Sequence, residues 1–369
     1  MSKPDTSIIR QRDALEVHWR SGQFSRLPYL WLRDNCDCEQ CRVRQTSEKR
    51  FMISEVPEDI SPLAASLDAD RLTVIWPDGH ETVYSADDIE GLRTPRAPDW
   101  TPWDAAFSPG RCAYRSFLAD DAIAAETIRD FLDTGAVILE HAPTDPGTLE
   151  QLAPRLGPVR EVLFARIHDV QVDSRGYNVA HTSIALPPHN DFASYTWPPS
   201  VQALHMLVNE AAGGDSIIVD GWHVLTRLRD DEPKHFQALR RMPVPFREFD
   251  DDNETYTVAP MIRCDTDGTF VALRFSNQLM QTLDPEVPGV ADFYRAYRAL
   301  CELVTDDAFK ARFCLEGGDI LVVAAHRVLH GREAFDSTGR RRLQDAYFEH
   351  DNVRNHLEVL RRKGVRAYG

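Results

Sequence analysis

Residues 198–221 read PPSVQALHMLVNEAAGGDSIIVDG, and this stretch is the most informative one about the fold class. It contains two apolar runs, at 201–208 and 216–219, on either side of a polar turn with two adjacent glycines. Short apolar runs between turn residues are typical of buried β-strands. Further runs of this kind lie at 268–275, 319–324 and 342–348. Many strands with Gly and Pro turns predict a mainly β sandwich or barrel with flanking helices.

The sequence before this region indicates a second, smaller domain. At 369 residues the chain exceeds the size at which one hydrophobic core usually stops growing. Alternating apolar and polar side chains at 7–19 and 72–85 predict strands, the latter with a hairpin turn at Pro77-Asp78-Gly79. The Pro-rich stretch that follows looks like a linker. We therefore predict a small β-rich domain at 1–98, a linker at 99–111 and a larger domain at 112–369.

Helical spacing of apolar residues marks a few segments around the predicted strands. The first spans 122–134 and ends at Gly135, before the short buried strand 136–139. A second helix is predicted at 148–156, with Gly157 as its stop. Longer helical segments interrupt the strands at 222–241 and 288–305.

Composition and charge argue against several classes of protein. The formal net charge of −16 disfavours nucleic acid and anionic membrane surfaces as partners, because both require clustered Lys and Arg. The N-terminal residues lack the apolar stretch of a signal peptide. No run approaches the about 18 apolar residues of a membrane span. These features predict a cytoplasmic protein.

His189 and Asp191 lie two residues apart in the segment ALPPHNDFASY. In an extended segment both side chains leave the same face of the strand, so an imidazole and a carboxylate converge on one point. The best candidate for a third ligand is His330 in VLHGREAF, which follows the predicted strand at 319–324. Two histidines and one carboxylate that leave open coordination positions are the arrangement of non-haem Fe(II) oxygenases.

An arginine close to His330 in the sequence is a candidate binding group for a dicarboxylate. Arg341 follows His330 by eleven residues, on the adjoining predicted strand. A fixed, bidentate guanidinium is the expected clamp for the distal carboxylate of 2-oxoglutarate. Arg332, Arg340 and Arg342 compete with Arg341 for this role, and only strand register favours Arg341. The alternative is a face of solvated arginines.

Motifs along nearly the whole chain carry a resemblance to a known family. They are LPYLWLRDNCDCEQC, WPDGH, GPVRE, the His-x-Asp segment, PPSVQALHMLVNEAAGGDSIIVDG, VLHGREAF and RRRLQDAYFEHD. In content and order they resemble the γ-butyrobetaine hydroxylase and trimethyllysine dioxygenase family, within the wider taurine dioxygenase superfamily. The resemblance implies a double-stranded β-helix (jelly roll) that binds Fe(II) and uses 2-oxoglutarate and O₂ as co-substrates. It also implies hydroxylation of a small polar molecule, and a homodimer is usual in that family.

The resemblance further implies the residues of the catalytic site. The iron ligands would be His189, Asp191 and His330. The 2-oxoglutarate site would include Arg341, Leu204 and Ser216. Because Asp191 fills the carboxylate position, no coordination position is vacant for a halide, and hydroxylation is favoured over halogenation.

Three of the seven cysteines, Cys36, Cys38 and Cys41, crowd into six residues. In a chain without a secretion signal, such crowding indicates a metal site more than disulfides. The resembled family carries a small N-terminal zinc domain, and matching its motif adds His80 as the fourth ligand. Three thiolates and one imidazole would close a tetrahedral structural site.

The substrate pocket is where this sequence departs from the family. The family's trimethylammonium cage, carried over position by position, falls on Phe164, His168, His181 and Tyr347. Asn178 and either Ser276 or Asn277 would add polar contacts. The family has mostly Tyr and Trp in the cage, and histidines are poorer π faces for a cation.

Two interpretations of the altered cage stay open at this point. The first is a modified betaine pocket in which both histidines are neutral. The second is the same chemistry on a non-quaternary substrate, such as a free or carrier-bound amino acid or an aminophosphonate. A metal-binding sensor or a non-oxidative protein of the cupin type would keep the three metal ligands, but a sensor would not need an arginine clamp.

Overall fold

The structure is a computed structural model that describes residues 6–91, 100–162, 165–171 and 181–365. Two predicted site residues, Phe164 and Asn178, lie outside these ranges. The chain divides into two units, Met1–Arg96 and Ala97–Gly369.

The first unit contains two three-stranded antiparallel sheets. Its strands are β1 (Ser7–Arg10), β2 (Ala14–His18), β3 (Phe24–Pro28), β4 (Ala64–Asp68), β5 (Arg71–Ile75) and β6 (Glu81–Ser85). Its helices are α1 (Tyr29–Asp34), α2 (Ala86–Gly91) and a 3₁₀ turn at Ile53–Glu55. The predicted hairpin is present between β5 and β6, and Gly79 in its turn has φ +85°, a conformation that favours glycine.

The core of the first unit follows from alternation along its strands. Leu15 and Val17 of β2 and Leu72 and Val74 of β5 are fully buried, while the side chains between them are partly exposed. They form one apolar cluster with Trp19, Trp76 and the α1 residue Leu32. The pattern that predicted strands here therefore also identified the buried face.

The second unit contains fourteen named strands and seven α-helices among its described residues. The strands are β7 (Gly110–Ala113), β8 (Ala136–Glu140), β9 (His168–Gln171), β10 (Leu186–His189), β11 (Val201–Asn209), β12 (Ser216–Asp220), β13 (Val244–Phe249), β14 (Glu254–Ala259), β15 (Ile262–Cys264), β16 (Phe270–Leu273), β17 (Lys310–Phe313), β18 (Ile320–Ala324), β19 (Val328–Arg332) and β20 (Arg341–Phe348). The helices are α3 (Tyr114–Ala119), α4 (Asp121–Thr134), α5 (Ala153–Leu156), α6 (Gly221–Asp231), α7 (Pro233–Arg241), α8 (Val290–Thr305) and α9 (His350–Arg362), with 3₁₀ turns at Thr148–Leu152 and Asp307–Phe309.

Two sheets of this unit face each other. One has six strands in the order β7-β8-β18-β11-β20-β9, and the other has four in the order β10-β19-β12-β17. Neighbouring strands are antiparallel, except that β7 and β8 run parallel. An apolar cluster joins the sheets, with Leu204 and Leu343 from the larger sheet and Ile218 and Val328 from the smaller. This sheet-rich arrangement with helices agrees with the expected jelly roll.

Helices cover the outer faces of the sheets. Ile128 of α4 and Leu357 of α9 pack in one cluster with Val201 and Val322, which belong to the six-stranded sheet. The predicted helix at 222–241 is two helices, α6 and α7, which meet at Pro233. Proline lacks the amide hydrogen of a helix interior but fits the first helical position, so a new helix starts there.

The segment at 148–156 is likewise a 3₁₀ turn followed by the short α5, and not one regular helix. Within the predicted linker, Trp103 is buried and its indole Nε1 donates a hydrogen bond to the Thr134 carbonyl oxygen at 2.7 Å. This part of the segment therefore packs with the second unit. In the described part of the chain, no helix has the length and apolar character of a membrane span.

Candidate active site

The predicted metal ligands come together at one end of the four-stranded sheet. His189 ends β10 and lies opposite His330 of β19 in the antiparallel pairing, and Asp191 follows two residues later. Nε2 of His189 is 3.1 Å from Oδ1 of Asp191, and Nε2 of His330 is 3.8 Å from Oδ2. One ligand atom from each of the three residues lies within 4.8 Å of the others. The site can therefore hold a single ion.

The protonation of these side chains suits a cation. Nδ1 of His189 lies 2.9 Å from the carbonyl oxygen of Pro187, which can only accept, so Nδ1 carries a hydrogen and Nε2 is the nitrogen left for a metal. Burial lowers the pKa of His189, but Asp191 more than offsets this and the net direction is upward, so a bound metal would displace a proton from Nε2. Burial lowers the pKa of His330 to about 4, so its imidazole is neutral at pH 7. Burial alone would raise the pKa of Asp191, but the neighbouring histidines hold it well below its usual value. An ionised carboxylate and a neutral imidazole are the ligand forms that metals bind.

Asp191 is held in place from the neighbouring sheet. Its Oδ2 accepts hydrogen bonds from Nε2 of Gln202 at 2.6 Å and from the hydroxyl of Tyr347 at 2.7 Å. The same hydroxyl is 2.7 Å from Oδ2 of Asp345, and Gln202 also donates to that oxygen at 3.0 Å. Burial and the two carboxylates raise the pKa of Tyr347 well above its usual value, so its hydroxyl stays a donor. These contacts leave Oδ1 of Asp191 for the metal position.

His168, on the edge strand β9, faces this network. Its Nδ1 lies 3.0 Å from Oδ1 of Asp345, although the ring N–H is not aligned for a regular hydrogen bond. Burial lowers the pKa of His168, and the charge of Asp345 more than offsets this, so the net direction is upward. The ring is 5.6 Å from that of Tyr347, in an edge-to-face arrangement. The structure thus brings together two of the four predicted cage residues.

Phe192 contributes an aromatic ring that the sequence analysis did not include. Its centroid is 5.0 Å from the ring of Tyr347, 4.9 Å from Tyr195 and 5.9 Å from His168. The residue has φ +51°, which costs a non-glycine residue about 1–3 kcal/mol. Phe192 directly follows Asp191, and its ring lies beside Tyr347, whose hydroxyl contacts Asp191. Strain of this kind is concentrated at functional sites.

The four competing arginines differ in their partners. Arg340 pairs with Glu210 at 2.6 Å and Arg342 pairs with Asp169, and both lie at the surface. Arg332 is buried and donates to the carbonyl oxygen of Ile184 at 2.6 Å. These contacts account for three of the four candidates.

Arg341 is the remaining candidate. Its Nε is buried without a hydrogen-bond partner, and among the described residues no carboxylate pairs with it. Its guanidinium lies 5.2 Å from the Phe335 ring centroid, and the guanidinium of Arg332 lies 4.8 Å from the same centroid. Burial lowers the pKa of Arg341, which indicates a desolvated cation without a fixed counterion. The residue therefore fits a site for a carboxylate supplied by a ligand.

The other residues predicted for 2-oxoglutarate lie on neighbouring strands. Leu204 of β11 is opposite Asp345 of β20, and its side chain belongs to the cluster between the two sheets. Ser216 begins β12, opposite Arg332 of β19, and is buried. β11 pairs with β20, which begins at Arg341, and β12 pairs with β19, which carries His330.

Two predicted substrate contacts are not brought to the site by any described contact. Nδ1 of His181 is 3.1 Å from the carbonyl oxygen of Gln171, and no ring contact between described residues joins it to His168 or Tyr347. Asn277 is exposed, whereas Ser276 is buried and follows Phe275, whose amide donates to Asn190. Ser276 is therefore the better placed of the two alternatives from the sequence.

In the first unit, the thiol groups of Cys36, Cys38 and Cys41 offer sulfur atoms within 4.8 Å of one another. His80 is not part of this group. Its Nδ1 is 3.0 Å from Oδ2 of Asp78 and 3.2 Å from Arg33, whose guanidinium also donates to Cys41 at 3.3 Å. Cys41 and His80 therefore contact the same guanidinium. The structure brings three of the four predicted zinc ligands together.

The site contains residues that sequence reasoning missed. Gln202 lies on the same face of β11 as the predicted Leu204, so strand alternation could have identified it. Asp345 lies in the motif RRRLQDAYFEHD, two residues before Tyr347, and alternation would have placed both on one face. Glu248 comes from the β13–β14 hairpin, and no local pattern connects this hairpin to the metal ligands.

Two histidines and a carboxylate share one ion position on a sheet-rich fold, and Arg341 has no carboxylate partner among the described residues. This combination defines a non-haem iron oxygenase. The model of the taurine catabolism dioxygenase TauD, TfdA family matches residues 95–347, and a gamma-butyrobetaine hydroxylase-like N-terminal model matches residues 7–89. The chain belongs to the taurine catabolism dioxygenase TauD, TfdA family.

Individual relatives match over almost their whole length. A gamma-butyrobetaine dioxygenase of Pseudomonas sp. (strain AK-1) is 33% identical, with 97% of each chain covered. The human gamma-butyrobetaine dioxygenase is 27% identical, with 95% of each chain covered. A trimethyllysine dioxygenase of Meyerozyma guilliermondii is 26% identical, with 98% of this chain and 97% of the relative covered. These comparisons confirm the resemblance that the sequence motifs indicated.

Proposed function

We propose that this protein is an Fe(II)- and 2-oxoglutarate-dependent dioxygenase that hydroxylates a C–H bond of a small betaine-like substrate. The observation that carries the proposal is the convergence of His189, Asp191 and His330, with ligand atoms within 4.8 Å of one another. Relatives named gamma-butyrobetaine dioxygenase and trimethyllysine dioxygenase support the type of reaction and substrate.

In the proposed site, His189 and His330 bind Fe(II) through Nε2, and Asp191 binds it through Oδ1. Gln202 and Tyr347 hold the other oxygen of Asp191, which fixes the carboxylate as a ligand with one bonding oxygen. Iron in such a site supplies the activation of O₂ by oxidative decarboxylation of 2-oxoglutarate, with succinate and CO₂ as by-products. The protein contributes the ligand geometry, the aim of the substrate and the exclusion of side reactions.

For 2-oxoglutarate, Arg341 is the proposed partner of the distal carboxylate. A buried guanidinium without a carboxylate partner is costly unless a ligand satisfies it, and a dicarboxylate can do so with two parallel hydrogen bonds. Leu204 would supply an apolar wall and Ser216 a hydroxyl donor on neighbouring strands. Arg332 is engaged with backbone carbonyl oxygens, so it supports the local positive potential without being the clamp.

The substrate would lie beside the rings of Tyr347 and Phe192, with His168 at the edge of the pocket. The family motif adds further proposed substrate contacts, namely Phe164, Asn178, His181 and either Asn277 or its buried neighbour Ser276. Aromatic faces attract a cationic nitrogen through the ring quadrupole, which suits a betaine-like molecule. A carrier-bound substrate and a homodimer stay predictions.

For the first unit, we propose a structural zinc site formed by Cys36, Cys38, Cys41 and His80. The three thiols within 4.8 Å of one another support it, as does the shared contact of Cys41 and His80 with Arg33. A site with four protein ligands has no open position, so this zinc would stabilise the unit without taking part in catalysis.

The proposal is tested by anaerobic titration of the protein with Fe(II) and 2-oxoglutarate. We expect the charge-transfer absorption of the Fe(II)–2-oxoglutarate complex, and its loss in His189→Ala. His235→Ala is the control, because His235 lies on α7 and pairs with Glu232 at 3.7 Å, not with a metal ligand. A succinate-release screen over betaines, trimethyl-lysine, amino acids and aminophosphonates then identifies the substrate. Absence of the absorption in the wild-type protein would reject the proposal.

A further inference from the structure

The β13–β14 hairpin brings an acidic side chain to the loop that follows the metal ligands. Side chains alternate along β13, so Glu248 lies on the same face as Val244 and Phe246, which are fully buried. Oε2 of Glu248 accepts a hydrogen bond from the hydroxyl of Ser194 at 3.5 Å, and that hydroxyl is 2.7 Å from Thr255 on β14. Ser194 is three residues beyond Asp191, and Asp191, His168 and His189 are close enough to Glu248 to change its pKa.

Glu248 has no fixed positive partner in the described part of the chain. The adjacent Arg247 points to the opposite face of the strand and pairs with Glu254 at 2.8 Å. Of the charged groups near Glu248, Asp191 raises its pKa, while His168 and His189 lower it. Each of these histidines already lies beside another acid, Asp345 or Asp191. Burial and the charge of Asp191 raise the pKa of Glu248 to about 7. A partly buried carboxylate of this kind is costly unless a cation approaches it.

Aromatic faces adjoin the same side of the site. The ring of Phe192 is 5.0 Å from that of Tyr347 and 4.9 Å from that of Tyr195, and its backbone is strained at φ +51°. Ser194 lies between Phe192 and Tyr195 in sequence, so the loop that presents these rings also contacts Glu248. Aromatic faces together with an unpaired carboxylate recognise a positively charged nitrogen.

We propose that Glu248 determines substrate specificity by binding the cationic nitrogen of the substrate, and that this nitrogen carries at least one hydrogen. The inference rests on the proposed function and narrows its betaine-like substrate to zwitterionic amines that are not quaternary. A quaternary ammonium has no N–H group, so a protein can bind it only through the faces of aromatic rings and through negative charge. The Glu248 carboxylate has a single long hydrogen bond in the described structure, so its remaining acceptor positions are available to N–H donors.

The same reasoning accounts for the weakened aromatic cage. An incompletely methylated amine is smaller than a trimethylammonium group and stays hydrated unless hydrogen bonds replace its water. A carboxylate supplies those bonds, whereas an all-aromatic cage does not. His168, paired with Asp345, then serves as a polar wall and not as a cation-binding face. The substrate class is a small zwitterionic amine with none, one or two methyl groups on the distal nitrogen.

The test uses two series of compounds, 4-aminobutyrate and lysine with zero to three methyl groups on the distal nitrogen. Binding to the anaerobic protein with Fe(II) and 2-oxoglutarate is measured by calorimetry, and turnover by succinate release. Glu248→Gln keeps the shape and the Ser194 contact but removes the charge. Glu254→Gln is the matched control, since it removes an exposed carboxylate from the same hairpin.

We expect the wild-type protein to bind members with N–H bonds more tightly than the quaternary member of the same series. Glu248→Gln should weaken them by about 10- to 100-fold, the value of one lost charge-assisted hydrogen bond. The quaternary members should change by less, and the Fe(II)–2-oxoglutarate absorption should not change. Glu254→Gln should leave all affinities as they are.

Three results would overturn the inference. They are equal affinities in Glu248→Gln and wild type, preference of the wild type for the quaternary members, and no binding of any member. If the Fe(II)–2-oxoglutarate absorption is nevertheless present, the proposed function survives and only the role of Glu248 is rejected. If that absorption is absent from the wild type, both fail together.

Discussion

The hydroxyl of Tyr347 gives a sharp test of how the protein holds its iron ligand. This hydroxyl lies 2.7 Å from Oδ2 of Asp191 and 2.7 Å from Oδ2 of Asp345, and it separates two carboxylates. Tyr347→Phe removes one oxygen atom and keeps the ring, together with its 5.0 Å edge-to-face contact with Phe192. After the change Gln202 is the one donor to Oδ2 of Asp191 that remains among the described residues, and the repulsion between the two acids is less screened.

The expected size of the effect follows from this loss. Removal of a partner that orients a metal ligand typically weakens metal binding by about 10- to 100-fold, or about 1.4–2.8 kcal/mol. We expect this loss in the Fe(II) affinity, measured by anaerobic titration in the presence of saturating 2-oxoglutarate. Because the aromatic ring remains, the KM for the substrate should stay within about twofold of wild type, while kcat at limiting iron falls.

Tyr114→Phe is the control. Tyr114 is also buried, and its hydroxyl bonds to Oε1 of Gln151 at 3.1 Å in the helix layer, away from the metal ligands. It should lose stability without losing iron affinity. If the Fe(II) affinity of Tyr347→Phe equals that of wild type within twofold, Tyr347 does not position Asp191 and the account of the ligand network is wrong.

Three further changes have expected outcomes. Arg341→Ala should weaken 2-oxoglutarate binding by about 10- to 100-fold with iron affinity retained, whereas Arg340→Ala should not; equal KM values for 2-oxoglutarate in both variants would contradict the clamp. Burial lowers the pKa of His205 to about 4. Between about pH 6.5 and 4 the unfolded chain therefore binds a proton at this residue that the native state does not bind. As the pH falls through this range, His205 should lower the free energy of unfolding by about 3 kcal/mol. His205→Leu should remove that part of the pH dependence in urea unfolding and, because both ring nitrogens lack partners, raise stability at pH 7; an unchanged slope would refute this. Cys36→Ser should lower the zinc content and the unfolding temperature of the first unit, with the Fe(II)–2-oxoglutarate absorption intact; one zinc per chain in the variant would count against the proposed ligands.

Much of the architecture was predictable because the relevant patterns are local. The apolar runs at 201–208, 216–219 and 342–348 became β11, β12 and β20, and the alternation at 72–85 became a hairpin. A strand buried on both faces needs a continuous apolar run, and a half-buried strand needs alternation, so both are legible in a few residues. The β13–β14 hairpin, α3 and α9 were not predicted, although Val353, Leu357 and Leu360 of α9 have helical spacing and the apolar residues of β13 alternate.

The metal ligands were also accessible from the sequence. His189 and Asp191 are close along the chain, and extended backbone directs both side chains to one side. His330 required only the assumption that the strand after 319–324 pairs nearby, and the structure places it opposite His189. The choice among the four arginines required more, since Arg340, Arg341 and Arg342 are adjacent in sequence. Only the partners of each guanidinium separate them.

The sequence by itself determined the family, the sheet-rich fold class and the types of residue available to bind a metal. Tertiary structure alone decided which polar groups are buried together, as shown by Gln202, Tyr347 and Asp345 around Asp191 and by Glu248 from a distant hairpin. The physical reason is that the periodic pattern of apolar residues in a segment is set by residues close together in the sequence. Its burial, pairing and charge are fixed by strands that meet only after the chain has folded.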